Sequence, residues 1–277
     1  MNLNQNKLKL ILNLIFIHFC FSSVSQQKFE WIEKSSYKID STDIWTVDVL
    51  ENVYISKKEI IQKFDSIGNF KFSQSQKSLG RLSSIQVLNT MKLIVFSEEQ
   101  QQLCFLDNTL TPYESCVNFD EENIGNATKF AVSSQPDKFW IYDQLNSRLH
   151  LISSSKLFQN QDIENIKGVL NSNQISFMCE QNNFLYLVDC NQGVYILDRY
   201  ASLVNFIKRP TIISFQVDSE NFYFLEKNKI VLIDIDSNEE INIDAPMDNV
   251  IEFKKIGNSY YFRTAKEIKK YHLLLNK

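Results

Sequence analysis

Six short tetrads, rich in apolar and aromatic residues, recur along the chain. They are Val53-Tyr54-Ile55-Ser56, Leu93-Ile94-Val95-Phe96, Phe139-Trp140-Ile141-Tyr142, Leu185-Tyr186-Leu187-Val188, Phe222-Tyr223-Phe224-Leu225 and Tyr260-Tyr261-Phe262-Arg263. Counted from the second residue of each, the spacings are 40, 46, 46, 37 and 38 residues. Such a period marks a repeat array, and a four-stranded propeller blade takes roughly 40 to 50 residues. β-Branched and aromatic residues at this density favour strands. Beyond the N-terminal segment, no stretch keeps apolar residues at helical spacing over three turns. Residues 98–102 are polar and form at most a helical turn.

Each tetrad has the same surroundings. A strand precedes it, at 44–49, 85–89, 128–133, 174–179, 212–218 and 250–255. Another follows, at 59–64, 102–107, 147–152, 194–198 and 229–235. A weaker fourth strand closes the unit, as at 68–73 and 202–207. Labelled a to d from the axis outward, these make four antiparallel strands per blade. The breaks between them, such as Gln181-Asn182-Asn183, Lys227-Asn228, Gly257-Asn258 and Pro136-Asp137-Lys138, are turn-prone. Asn and Asp tolerate left-handed backbone and bond to it locally. With six glycines in the chain, Asn takes on much of glycine's usual turn work.

The sixth unit has no d strand of its own, because the chain ends after 268–275. At the other end, residues 28–33 alternate apolar and charged side chains. This N-terminal strand is expected to become d of the last blade, which closes the ring and removes exposed edges. The competing reading leaves 26–40 as a loose tail and exposes Trp31 to water. The expected fold is therefore all-β, a six-bladed β-propeller closed by its N-terminal strand.

Lys7 and Lys9 precede a mostly apolar run over 10–21, and Ser23-Val24-Ser25 supplies small residues. This pattern predicts a secretory signal peptide cleaved after Ser25, followed by a single propeller domain over 26–277. The run is shorter than the roughly 20 apolar residues of a membrane span. Ile17-His18-Phe19 before Cys20 lacks the small residues of a lipoprotein signal. The remaining 252 residues carry 27 basic and 33 acidic side chains, a net charge of −6. That balance argues against nucleic acid and anionic membrane surfaces as partners. Another protein of a bacterial envelope is the expected partner.

The run Phe139-Trp140-Ile141-Tyr142-Asp143-Gln144-Leu145-Asn146-Ser147-Arg148-Leu149 resembles an NHL-type propeller repeat. In that pattern a strand ends in Asp, Asn follows, and a basic residue opens the next strand. Residues 187–194 and Thr46-Val47-Asp48 are looser versions, and the six-fold count is similar to the NHL and TolB-like group. The resemblance implies a fold and a habit of binding proteins, peptides or glycans. It carries no active site across.

The candidate chemistry is sparse. His150 and His272, the histidines beyond Ser25, fall in separate predicted c strands. A Ser-His-Asp site needs an exposed His held by a carboxylate, so both are read as blade-face residues and no catalytic residue is assigned. Asp234-Ile235-Asp236-Ser237-Asn238 opens like a calcium loop, but Glu239 and Ala245 stand where Gly and Glu are needed. It is read as a turn, and no metal or cofactor is expected. Asp143, Asn146 and Arg148 are read as a capped turn with a local ion pair. Asn126-Ala127-Thr128 matches a glycosylation sequon that a bacterial chain would leave idle.

A hairpin centred near Leu110 sets Cys104 opposite Cys116, a candidate disulfide in an oxidising compartment. Cys179 and Cys190 fall out of register and are expected to stay reduced. In a propeller the d–a and b–c connections share one end, and binding concentrates on such loops. Arg81, Asp120, Glu121, Lys208 and Arg209 are the candidate binding residues there. The expected function is an exported, non-enzymatic module that docks a protein or peptide on this loop face. One version is a subunit of an outer-membrane secretion or assembly complex. The alternatives are a calcium-dependent, lactonase-like hydrolase at the channel mouth and a glycan- or cell-wall-binding propeller.

Overall fold

The computed structural model describes residues 28–153, 161–170, 172 and 174–276. The predicted signal peptide and its cleavage point lie outside the described residues. The chain forms six four-stranded antiparallel sheets arranged as the six blades of a propeller. Blade one is Ile44–Val47, Val53–Lys57, Ile60–Phe64 and Phe70–Ser75. Blade two is Ser84–Asn89, Lys92–Ser97, Gln102–Asp107 and Val117–Asn118. Blade three is Ala127–Val132, Lys138–Asp143, Arg148–Ser153 and Gln161–Ile163. Blade four is Phe177–Gln181, Phe184–Asp189, Gly193–Leu197 and Leu203–Lys208. Blade five is Ser214–Val217, Asn221–Glu226, Lys229–Asp234 and Glu240–Asp244. Blade six is Glu252–Ile256, Ser259–Arg263, Glu267–Asn276 and the N-terminal Lys28–Lys38.

All six tetrads lie in b strands, and their continuous apolar character has a direct cause. Successive side chains of a strand point to opposite faces of its sheet. Here both faces are covered by neighbouring blades, so neither parity needs to be polar. Phe139 and Ile141 pack back on Ile94 and Phe96 of blade two. Trp140 and Tyr142 pack forward on Leu185 and Leu187 of blade four. Tyr186 and Val188 then meet Phe222 and Phe224, and Tyr223 and Leu225 meet Tyr260 and Phe262. Tyr261 reaches Val53 and Ile55, and Tyr54 reaches Leu93 and Val95, which completes the circle. The core is thus six apolar layers between blades. Each fully buried Leu, Ile or Phe contributes up to about 1.5–3 kcal/mol.

The turns use carboxylates as predicted. Asp48, Asp65, Asp107, Asp189, Asp198, Asp218 and Asp234 each accept the backbone N–H two residues ahead. Asn182 and Asn183 take φ of 54° and 63° in the a–b hairpin of blade four, a left-handed geometry without glycine.

The closing strand runs further than the predicted 28–33. It pairs antiparallel with the c strand of blade six along Lys28–Lys38, with Trp31 opposite Leu273. The Trp31 indole stands edge-on to Tyr260 and Phe262, at 5.1 and 5.2 Å between ring centroids. Its N–H donates to the carbonyl of Asp244 in blade five at 2.8 Å. The register shifts between Glu33 and Ser35, which marks Lys34 as a bulge.

Two expectations need correction. The a strand of blade four is Phe177–Gln181, not 174–179, because its hairpin turns on Asn182 and Asn183. Arg148 pairs with Glu164 at 2.8 Å, not with Asp143. The Asp143 carboxylate is instead saturated by the N–H groups of Gly125, Asn126 and Asn146 and by the Asn146 amide. A short helix, α1 (Ile166–Leu170), occupies the connection from blade three to blade four and buries Ile166 and Leu170. Five residues are too few to show helical periodicity.

Candidate functional site on the ring axis

The a strands surround an axial cavity of about 610 Å³. Gln86 braces its wall on one side: its amide donates to the Phe130 carbonyl and accepts from the Val132 N–H. Gln216 does the same to Lys255 in blade six. Each amide completes backbone bonds that adjoining blades cannot make, because their innermost strands are not paired.

At the loop-face end, Ile213 and Ile251 stand one residue before the a strands of blades five and six. Their N–H groups donate to the carbonyls of Leu225 and Arg263. Ser83 and Ser176 hold the equivalent positions in blades two and four. Ile213, Ile251 and neighbouring Phe177 line the cavity and are 40, 44 and 37 % exposed. They form an apolar crescent at its mouth.

Charged side chains also line the cavity. Glu252 accepts hydrogen bonds from the Trp45 indole at 2.7 Å and Arg263 at 3.1 Å, and pairs with Lys254 at 3.4 Å. Arg263 also donates to the carbonyls of Ser41 and Asp43. Lys129 donates to the Thr128 carbonyl at 2.9 Å. Burial lowers the pKa of its ammonium, opposed by the Glu98 carboxylate. Cys179 and Cys190 also line the cavity as free thiols. Burial pushes Cys179 up to about 12, so it is a weak nucleophile.

The sequence-derived candidates border the same face but sit on different connections. Arg81 is exposed just before blade two, and Asp120 and Glu121 are exposed between blades two and three. Lys208 ends the outermost strand of blade four, also exposed. Arg209 is engaged within the fold: it pairs with Glu226 at 3.0 Å and with Glu240, over the Phe224 ring. Cys104 and Cys116 form a disulfide with Cα atoms 4.2 Å apart.

Neither histidine sits on an open surface. His150 is buried, its Nδ1 2.8 Å from Asp162 and its Nε2 3.7 Å from Asp143. His272 Nε2 lies 3.1 Å from the Ser259 hydroxyl, which donates to Glu51 at 2.6 Å. The side chains are those of a hydrolytic triad in the wrong order. Here the carboxylate holds the serine, not the histidine, and Ser259 is 0 % exposed. Lys270 joins the group, donating to Glu51 at 2.6 Å and to the Ser66 carbonyl at 2.9 Å. This cluster stitches blade six to blade one. The turn after Asp234 is held by Ser237 and Asp236. Among the described residues no three His, Cys, Asp or Glu side chains gather to hold a metal, and no helix is long and apolar enough to cross a membrane.

The cavity residues were missed by sequence reasoning. The available signal was positional: aligning the blades on their tetrads sets Ile213 and Ile251 where blades two and four carry Ser.

No family model and no curated protein matches the sequence. Solved structures share the fold at low identity. Virginiamycin B lyase from Staphylococcus aureus is 12 % identical with a TM-score of 0.59, over 89 % of this chain and 100 % of that one. The Pan2 WD40 domain of Neurospora crassa is 9 % identical with a TM-score of 0.62, over 87 % and 95 %. BBS1N, solved in complex with ARL6DN, is 10 % identical with a TM-score of 0.57, over 83 % and 77 %. What this chain shares with all three is the β-propeller fold.

Proposed function

We propose that this chain is an exported interaction module that docks a protein or peptide on the loop face of the propeller. The observation that carries the reading is the apolar crescent of Phe177, Ile213 and Ile251 at the mouth of the axial cavity. Exposed apolar residues clustered around a concavity mark a surface built to be covered. Export is supported by the N-terminal leader pattern and agrees with the Cys104–Cys116 disulfide, since such bridges persist in oxidising compartments. A bacterial envelope assembly is the setting we favour, with another envelope protein as partner.

A channel-mouth hydrolase would need carboxylates converging on the axis. Glu252 is already committed to Trp45, Lys254 and Arg263, which leaves Glu98 alone. The opposite face carries its own exposed apolar residues, Val49, Leu50, Ile67 and Met91, so the test must compare both faces. The native protein is purified from its host with whatever accompanies it, as wild type, Ile213→Asp/Ile251→Asp and Leu50→Asp/Ile67→Asp. A companion lost only with the first pair supports the reading. A companion lost only with the second pair, or none at all, defeats it.

A further inference from the structure

We propose that the axial cavity receives the C-terminal end of a polypeptide, its carboxylate on Lys129 and its last apolar side chain among Phe177, Ile213 and Ile251. This deepens the loop-face reading and rests on it. Lys129 carries three N–H donors, of which one is used by the Thr128 carbonyl. Among the described residues no carboxylate lies within ion-pair distance of it, and Glu98 acts on it only from further away. The other cations of the cavity, Lys254 and Arg263, are both bound to Glu252. Three cations thus share the cavity lining with two carboxylates, Glu98 and Glu252, so the lining as a whole is positive within a chain of net charge −4. An ammonium with spare donors in a partly desolvated wall favours an arriving anion.

The apolar crescent completes the recognition. A free carboxylate next to an apolar side chain is the chemistry of a peptide ending in Leu, Ile or Phe. A chain end also suits an axial cavity better than an internal acidic residue does. An internal residue would require the chain to enter and leave through one mouth.

The test uses fluorescein-labelled octapeptides ending in Leu, Ile or Phe, each made as the free acid and as the C-terminal amide. Binding is read by fluorescence anisotropy. The acids are expected to bind between about tenfold and a hundredfold more tightly than the amides, the range of one charge-assisted hydrogen bond. Lys129→Gln should erase that preference, Lys129→Arg should retain part of it, and thermal unfolding reports that each variant is folded. Equal binding of acid and amide overturns the carboxylate assignment. If Ile213→Asp still abolishes that equal binding, loop-face docking stands. An acid preference that survives Lys129→Gln also overturns the assignment. Binding of no peptide by the folded protein overturns it too, and co-purification then decides loop-face docking on its own.

Discussion

Trp31 and Tyr37 lie six residues apart on the closing strand, yet they face opposite blades. Trp31 packs with Tyr260, Phe262 and Leu273 toward blade five, whereas Tyr37 packs with Trp45, Val53 and Ile268 toward blade one. Strict alternation would put both on one face. The bulge at Lys34 inverts the parity between them. One strand therefore seals two seams. Deleting Lys34 should restore the alternation, so that Trp31 and Tyr37 can no longer both pack into their seams. The deletion is expected to destabilise more than Trp31→Ala alone, itself costing about 3 kcal/mol. Chemical denaturation of the two variants checks the order.

The blade count and the ring closure were legible because both follow from periodicity and from one unpaired strand at each end of the repeat. Trp31 could be placed for the same reason: an indole left in water beside an incomplete blade is a conflict that closure resolves. The bulge at Lys34 was not legible, since a single inserted residue leaves no periodic trace in so polar a stretch. The mouth of the cavity was hidden differently. Lys129, Ile213 and Ile251 look like ordinary strand-edge residues, and only the ring brings blades three, five and six to one axis. Arg209 was over-read, because nothing local in its sequence shows Glu226 and Glu240 closing on it from blade five.

The cluster at the seam of blades six and one sets an acid limit. Burial lowers the His272 pKa from its usual 6.5, with Lys34 and Lys270 adding to the shift and Glu51 opposing it. Burial alone would raise Glu51, but hydrogen bonds from Lys270 and Ser259 outweigh it and hold the carboxyl below its usual 4.5. In both cases the unfolded chain binds the proton more readily, so stability falls as pH falls. The loss should begin below pH 6.5 through His272 and continue below 4.5 through Glu51. Melting temperature against pH should show both steps. His272→Asn should remove the upper step and leave the lower one.

The disulfide is placed where blade two is weakest. Its outermost strand has only the two residues Val117–Asn118, and Cys116 ties the preceding segment to Cys104 on the c strand. Closing a loop with a sequence separation of 12 residues contributes about 2–3 kcal/mol in the chain-entropy model. Replacing both cysteines by Ala should lower stability by about that amount. Hydrogen exchange should quicken mainly in blade two.

Gly193 gives the sharpest test of the packing between strands c and d. It opens the c strand of blade four at φ 148°, opposite Lys208. A Cβ there would lie 2.1 Å from the carbonyl oxygen of Ile207 and 2.9 Å from the Arg209 nitrogen. Both are backbone atoms, so no side chain can swing aside. Gly193→Ala must push the outer strand away at the point where Arg209 crosses to blade five, and it should cost more than about 2 kcal/mol. Gly257, with φ 54° and no atom within 4 Å of a built Cβ, provides the control. Its replacement by Asn, a residue that tolerates left-handed backbone, should cost well under 1 kcal/mol. Equal losses at the two sites, measured by urea unfolding, would show that the d strand of blade four yields freely and that its close approach to Gly193 is not a constraint on the fold.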